Sequence, residues 1–366
     1  MKNRMTPREN LGRRIEQFHG VSLEQVLGEI AYLRDAGDSV IAGGSLAYGL
    51  GNRLSDLDLL ITGTATVESS RIPMQHFIDS LRVDVWKLSR ALVEECFERA
   101  EQALGGEGAV EGSFGDIDHE DELKLLHRIA FGVVVDGGGL EDIGGRDYRA
   151  VASSLVVREY AERMRTSALL AQLAYRSGRS IAAVANARLA IESALNAVVV
   201  HRGLPFSGDK WLRDRLVNQT PDLASVYEPF RQLPENPARD ASAFVDAALA
   251  TCVEMWGMDL EIDALVSAAN WRNTDLKLGE VGADRLLLSA RFGALWGLDE
   301  NEAAAWGRFA AGGAESPDAM WSLEECCEDG MPLCLRLHEL GVLSLHWDKG
   351  VPIEGLHPMR TRGAPA

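Results

Sequence analysis

Gly43-Gly44-Ser45-Leu46-Ala47-Tyr48-Gly49-Leu50-Gly51-Asn52-Arg53-Leu54-Ser55-Asp56-Leu57-Asp58-Leu59-Leu60 is the stretch on which the reading of this chain turns. Immediately upstream, Ser39-Val40-Ile41-Ala42 is a short apolar run that stops at glycines and reads as a buried strand. Ser45 to Gly51 is small and glycine-rich, the start of a helix or a tight loop. From Asp56 to Ile61 acidic and apolar residues alternate. That period puts Asp56 and Asp58 on one face of a strand and Leu57 and Leu59 on the other. Leu81 to Leu88 alternates again, Arg82, Asp84 and Trp86 against Val83, Val85 and Leu88, and reads as a third strand.

This pattern suits nucleotidyl transfer. The reaction needs a triphosphate held in place, a metal pair that bridges it, and an acceptor oxygen aligned with the α-phosphorus. Carboxylates two residues apart on one strand face lie about 7 Å apart along the backbone, close enough to share and flank a Mg²⁺ ion. Asp84 offers a third carboxylate from a neighbouring strand. Gly44 and Ser45 offer backbone N–H groups and a hydroxyl for phosphate, with the positive end of a helix if one starts there.

These residues resemble the Gly-Ser…Asp-x-Asp signature of the DNA polymerase β-like nucleotidyltransferases. Within that superfamily they look most like the bacterial small-molecule branch, the aminoglycoside (kanamycin-type) and minimal nucleotidyltransferases. Ser45 precedes Asp56 by eleven positions, and Ser55-Asp56-Leu57-Asp58-Leu59 matches the Ser-Asp-hydrophobic-Asp-hydrophobic core. The resemblance implies two Mg²⁺ ions and ATP or another NTP as co-substrate. It implies that Gly44, Ser45 and Ser55 belong to the nucleotide side and that Asp56 and Asp58 bind both metals. Asp84 would hold the catalytic metal and orient or deprotonate the acceptor.

Around this centre the chain reads as α+β with three domains: a nucleotidyltransferase domain over 1–145, a helical bundle over 146–275 and a small winged-helix-like unit over 276–366. Pro7 to Ala36 is one or two helices; Ala91 to Leu104 and Asp121 to Val134 are amphipathic helices separated by a glycine-rich loop, Gly105 to Asp118. Gly137-Gly138-Gly139 and Gly144-Gly145 mark the first boundary. Val156 to Arg202 reads as two antiparallel helices turning at Arg176 to Arg179, and Phe244 to Leu265 as another. In the tail, Arg285 to Trp296 suggests a hairpin. Asp299 to Ala310 is a helix with an Asp299…Glu302 capping box, Ser322 to Glu328 and Pro332 to Leu340 are two more helices, and Val342 to Trp347 is a final strand. The tail from Leu295 to Leu345 resembles the PqqD-type winged helix that captures leader peptides, which implies peptide binding at a sheet edge.

Further residues carry weaker signals. Arg188 lies in the apolar stripe Ile181, Val184, Ile191, Leu195, Val198, from which it either reaches the triphosphate or acceptor or packs its stem and turns its head to water. Glu159 and Glu192 are candidate acceptor-side bases or solvated helix charges. Lys87 falls on the strand face opposite Asp84. Gly203 to Trp211 is an aromatic turn in which Lys210 contacts phosphate, or which Phe206 and Trp211 simply anchor. His201 follows Arg188 by thirteen residues, which fails the Arg-x4–6-His spacing of ribonuclease toxins.

Composition narrows the partners. With 55 acidic against 37 basic residues and a net charge of −18, the chain repels polyanions at long range, which argues against nucleic acid and for a small-molecule or peptide acceptor. A local metal site can still hold a triphosphate. Five cysteines without a CxxC pair suit reduced thiols in a cytoplasm, and no run of eighteen apolar residues marks a membrane span. Met1 to Asn10 lacks a signal core. The expected species is a cytoplasmic monomer or homodimer. An alternative function is a regulatory or antitoxin module that modifies a protein partner.

Overall fold

A computed structural model describes residues 5–63, 73–105, 119–138, 147–205, 209–273, 276–281, 284–289, 294–311, 320–323, 330–341 and 343–347. By packing the chain divides into two units, one of 1–159 with 196–224 and one of 160–195 with 225–366. The expected bounds at 145 and 275 both fall outside the described residues.

The first unit is built on a five-stranded mixed sheet. The helices α1 (Pro7–His19) and α2 (Leu23–Glu29) each start with a reciprocal capping box, Thr6 with Glu9 and Ser22 with Gln25. Then come β1 (Ser39–Gly43), the four-residue helix α3 (Gly44–Ala47), β2 (Leu57–Gly63), β3 (Met74–Ile78) and β4 (Leu81–Ser89). Helices α4 (Arg90–Gly105) and α5 (His119–Phe131) lead to β5 (Val133–Asp136). The strand order is β3-β4-β2-β1-β5, with β2 and β4 parallel and the other neighbours antiparallel. The α+β class of the sequence reading holds.

The two-residue period divides the sheet into two chemistries. Leu57, Leu59, Ile61, Leu81, Val83 and Val85 pack with Leu11, Ile15, Val26 and Ile30 of α1 and α2 in one buried cluster. Asp58, Asp84 and Trp86 take the alternate positions on the other face. Leu88, expected beside Val83 and Val85, is buried outside that cluster, because its even number puts it on the Asp84 side. Burying that many aliphatic side chains at about 1.5–3 kcal/mol each holds the strands in register while the polar face stays available.

Two strands of this sheet escaped the sequence reading. β3 is an edge strand joined to β4 by the tight turn Asp79-Ser80, with Asp79 in the left-handed region at φ 51°. β5 takes residues that the period had extended into a helix through Val134: the helix stops at Phe131, and Gly132 opens the antiparallel pairing of β5 with β1.

The remaining helices are α6 (Tyr148–Arg176), α7 (Ser180–His201), α8 (Leu212–Gln219), α9 (Pro221–Tyr227), α10 (Pro237–Trp256) and α11 (Ile262–Ser267). Helix α7 is apolar and long enough to cross a bilayer by composition, yet 72% of that window is buried within the protein, as in a core helix. Its expected stripe is buried at Val184, Ile191, Leu195 and Val198, while Ile181 at the helix start is exposed. The helix expected from Phe244 to Leu265 is two: Gly257, at φ 64°, ends α10, and α11 begins after it.

The second unit also holds β6 (Ala269–Asn273), β7 (Leu276–Val281), β8 (Asp284–Ser289), β9 (Ala294–Gly297), α12 (Glu300–Ala311), β10 (Met320–Ser322), α13 (Met331–Glu339) and β11 (Leu343–Trp347). The strands form two antiparallel sheets, β10-β6-β11 and β7-β8-β9. The Asp299 capping box is present, each backbone N–H donating to the other residue's carboxylate. Gly341 at φ 73° follows α13. Ser322 lies in β10 rather than opening a helix, since Met320 to Ser322 pair with β6; residues 324–329 lie outside the described residues.

Candidate active site

Asp56 ends the loop before β2, Asp58 is the second residue of β2, and Asp84 lies in β4. The parallel register sets Asp58 directly beside Asp84, about 4.8 Å apart across the strands. Asp58 and Asp84 are both buried, at 5% and 4% exposure. The register of β1 with β2 brings Gly43 beside Asp58. Gly44 follows at φ 76°, and a Cβ there would lie 2.1 Å from Asp58 Oδ2. Gly44 therefore serves two needs, a left-handed backbone and the close approach of a carboxylate.

Ser45 sits in α3, and its carbonyl accepts the N–H groups of Leu50 and Gly51. With four residues, α3 is too short for a full macrodipole, so its offer to phosphate is backbone N–H groups and the Ser45 hydroxyl. Ser55 does other work: its hydroxyl accepts the Asn52 N–H at 3.1 Å and closes the turn before β2.

Gly44, Ser45, Asp56 and Asp58 line a cavity of about 450 Å³, within the range of small-ligand sites. Its other lining residues are Tyr48 just after α3, Lys124, His127 and Arg128 from α5, and Asp209, Lys210 and Trp211 from the 3₁₀ turn before α8. Lys210 Nζ lies 5.6 Å from the Trp211 ring centre. Asn196, wholly buried, donates to Asp209 Oδ1 at 3.1 Å and accepts from the buried Arg215 Nη1 at 3.3 Å. That chain of bonds anchors the turn that carries Lys210. Arg188 and Ser55 are not lining residues of this cavity. In the second unit Arg188 Nε donates to Glu192 Oε1 at 2.8 Å, and Tyr227 donates its hydroxyl to the same oxygen at 2.7 Å.

The electrostatics are those of crowded carboxylates. Burial, and then the neighbouring Asp56 and Asp84, push Asp58 up to about 6, against the pull of Arg128 and Arg82. Arg128 Nε lies 3.3 Å from Asp58 Oδ2, with its guanidinium 4.8 Å from the Trp86 ring centre. Arg82 grips Asp84 through both oxygens, Nε to Oδ1 at 2.9 Å and Nη2 to Oδ2 at 2.6 Å. Lys87, on the opposite face as expected, pairs with Asp35 at 3.1 Å. Burial holds His127 down to about 3, with Arg215 and Arg128 adding to the effect, so its ring is neutral between Tyr48 and Phe131.

Residues 23–105, from α2 through α4, match the nucleotidyltransferase domain family. This segment is a nucleotidyltransferase domain of the DNA polymerase β-like superfamily. Its match encloses the glycine loop and all three aspartates and ends before α5. A search of curated proteins returned no match. Among solved structures, a nucleotidyltransferase-like protein from Exiguobacterium sibiricum 255-15 is similar at 12% identity and a TM-score of 0.33, over 65% of this chain and 74% of that one.

The nucleotidyltransferase domain offers the right donors for a divalent cation: hard carboxylate oxygens on adjacent strands, one of them electrostatically loaded. Among the described residues no three His, Cys, Asp or Glu side chains are already gathered about one point. Arg82 and Arg128 each lend a positive charge to one of these carboxylates, Asp84 and Asp58 respectively. The donor set fits, with arginines standing in for the charge. The sequence reading missed α5 entirely as a source of site residues. The signal was there, in Lys124, His127 and Arg128 at helical spacing within a strongly acidic chain.

Proposed function

We propose that the protein moves a nucleoside monophosphate, in the first instance AMP from ATP, onto a hydroxyl of a small molecule or peptide in the cytoplasm, with release of pyrophosphate. The observation that carries this reading is that Asp56 and Asp58 line one cavity with Gly44 and Ser45, while Asp84, outside that lining, is the register partner of Asp58 on the neighbouring strand. In the transfer, the acceptor oxygen bonds to the α-phosphorus as the bond to the bridging oxygen breaks. Pyrophosphate leaves with that bond's electron pair.

Asp56, Asp58 and Asp84 are the residues that would hold two Mg²⁺ ions, which would supply positive charge to neutralise the triphosphate. The chain's own groups supply the rest. Backbone N–H groups at Gly44 and Ser45 orient phosphate oxygens, Lys210 adds a cation from the 3₁₀ turn, and Asp84 orients the acceptor hydroxyl and takes its proton. Arg82 must release Asp84 for this; its side chain is 44% exposed and can swing into water.

The test is pyrophosphate release from each of the four NTPs with Mg²⁺, across aminoglycosides, polyols and peptides, with Asp56→Asn and Asp58→Asn as controls. Acceptor-dependent release that disappears in both variants is the expected result. Undiminished turnover in both would remove the site assignment.

A further inference from the structure

The double glycine of the site is threaded between two side chains that are themselves paired. A Cβ at Gly43 would lie 3.0 Å from both Cβ and Cγ of Arg128, and one at Gly44 would lie 2.1 Å from Asp58 Oδ2. Arg128 Nε in turn lies 3.3 Å from that same Oδ2. The first glycine thus makes room for the arginine stem and the second for the carboxylate. The end of α5 is seated just as closely on β1, where a Cβ at Gly132 would lie 2.3 Å from Ile41 Cγ2. Trp86 flanks the guanidinium. Arg128 is therefore fixed by packing on several sides, unlike a surface arginine that finds its own rotamer.

Lys124 stands one helical turn before Arg128 and lines the same cavity as Gly44 and Ser45. His127 between them is held neutral by burial, so the positive charge that α5 brings to the cavity comes from Lys124 and Arg128. In a chain of net charge −18, a polyanion approaching this cavity is repelled at long range and needs a local positive wall.

We propose that Lys124 and Arg128 form a grip for the polyphosphate tail of the nucleotide that works without a divalent cation, alongside the Gly44–Ser45 backbone. The grip rests on the nucleotidyl-transfer reading and adds to it the residues that select a triphosphate over a monophosphate. Arg128 has a double role here, as partner of Asp58 in the resting site and of phosphate in the loaded one.

The experiment is calorimetric titration of the full chain with inorganic tripolyphosphate in EDTA, repeated with Lys124→Gln, Arg128→Gln, Arg128→Lys and Asp58→Asn. Tripolyphosphate carries no base, so only the tail's recognition is read. Wild type is expected to bind, and each Gln variant to bind about tenfold more weakly, as loss of one charge-assisted bond predicts. Arg128→Lys should recover part of the loss, and Asp58→Asn should bind more tightly because Arg128 loses its competitor. Arg128→Gln keeps the stem against Gly43; if it still melts early, Lys124→Gln carries the test. Absence of binding by wild type, or equal binding by wild type and both Gln variants, overturns the grip. If these shifts appear while no NTP yields pyrophosphate with any acceptor, the grip stands and the transfer reading falls.

Discussion

A Cβ on Gly44 would lie 2.1 Å from Asp58 Oδ2, so the glycine loop and β2 reach their observed separation only because residue 44 has no side chain. Gly44 also sits at φ 76°, a conformation that costs an L-residue about 1–2 kcal/mol. Gly44→Ala is expected to push the loop off Asp58 and to lower NTP-dependent pyrophosphate release about 100-fold, as displacement of a reacting group by about 1 Å commonly does. Gly43→Ala should cost less, because its Cβ would meet Arg128 Cβ and Cγ at 3.0 Å, a milder overlap, and its φ of −112° suits an L-residue. Steady-state kinetics on the two variants provide the check, and the opposite ranking would show that the loop's approach to Asp58 is not what matters.

Asp58 links the site to pH. Its folded-state value of about 6 lies above the ordinary 3.8, chiefly through burial and then through Asp56 and Asp84. Between about pH 4 and 6 the folded state therefore holds a proton that the unfolded state has released, and stability falls as pH rises through that window. At pH 8 in the absence of divalent cations the ionised group costs up to about 3 kcal/mol. Asp58→Asn removes this cost, so in EDTA the variant should melt higher than wild type at pH 8, with the gap closing toward pH 4. Transfer by wild type should fall as pH drops below about 6. A melting gap independent of pH would contradict the assignment.

What was legible in the sequence was whatever a local period encodes. Alternation placed Asp58 opposite Leu57 and Leu59 and separated Asp84 from Val83, and the structure keeps those faces, while Asp56, expected on the strand, ends the loop before it. Strand β3 was missed because an edge strand of five residues, half-buried at alternate positions, carries little apolar signal. The contribution of α5 was missed for a different reason. Lys124 and Arg128 at helical spacing look like any solvated face, and only the docking of α5 over β1 turns that face toward the cavity. Ser55 matched a motif, yet its hydroxyl is used in the turn with Asn52, a hydrogen bond that motif spacing does not reveal.

Gly132 is where the continuous helical reading failed, and it is testable. A Cβ there would lie 2.3 Å from Ile41 Cγ2 and 2.5 Å from the Arg128 carbonyl oxygen. Backbone and a buried strand residue cannot both give way, so Gly132→Ala is expected to destabilise the protein by about 1–3 kcal/mol, the usual cost of overpacking. Urea unfolding followed by circular dichroism measures it. A variant as stable as wild type would mean that α5 is free to shift along β1.

Arg82 and Asp84 give the last prediction. They are two residues apart on β4, on the same side of the strand, and both oxygens of the buried carboxylate are taken by an exposed guanidinium. With the arginine removed, Asp84 keeps its burial and loses its counter-charge, beside an Asp58 that already feels its repulsion. Arg82→Gln should therefore melt lower than wild type in EDTA. A divalent cation would then supply what the arginine supplied, so added Mn²⁺ should raise the melting temperature more in the variant than in wild type. The measurement is a thermal melt of both proteins with and without Mn²⁺, repeated in Asp84→Asn, where the extra response should vanish. If Mn²⁺ stabilises Arg82→Gln no more than wild type, Asp84 is not a cation ligand, and its pairing with Arg82 serves the fold alone.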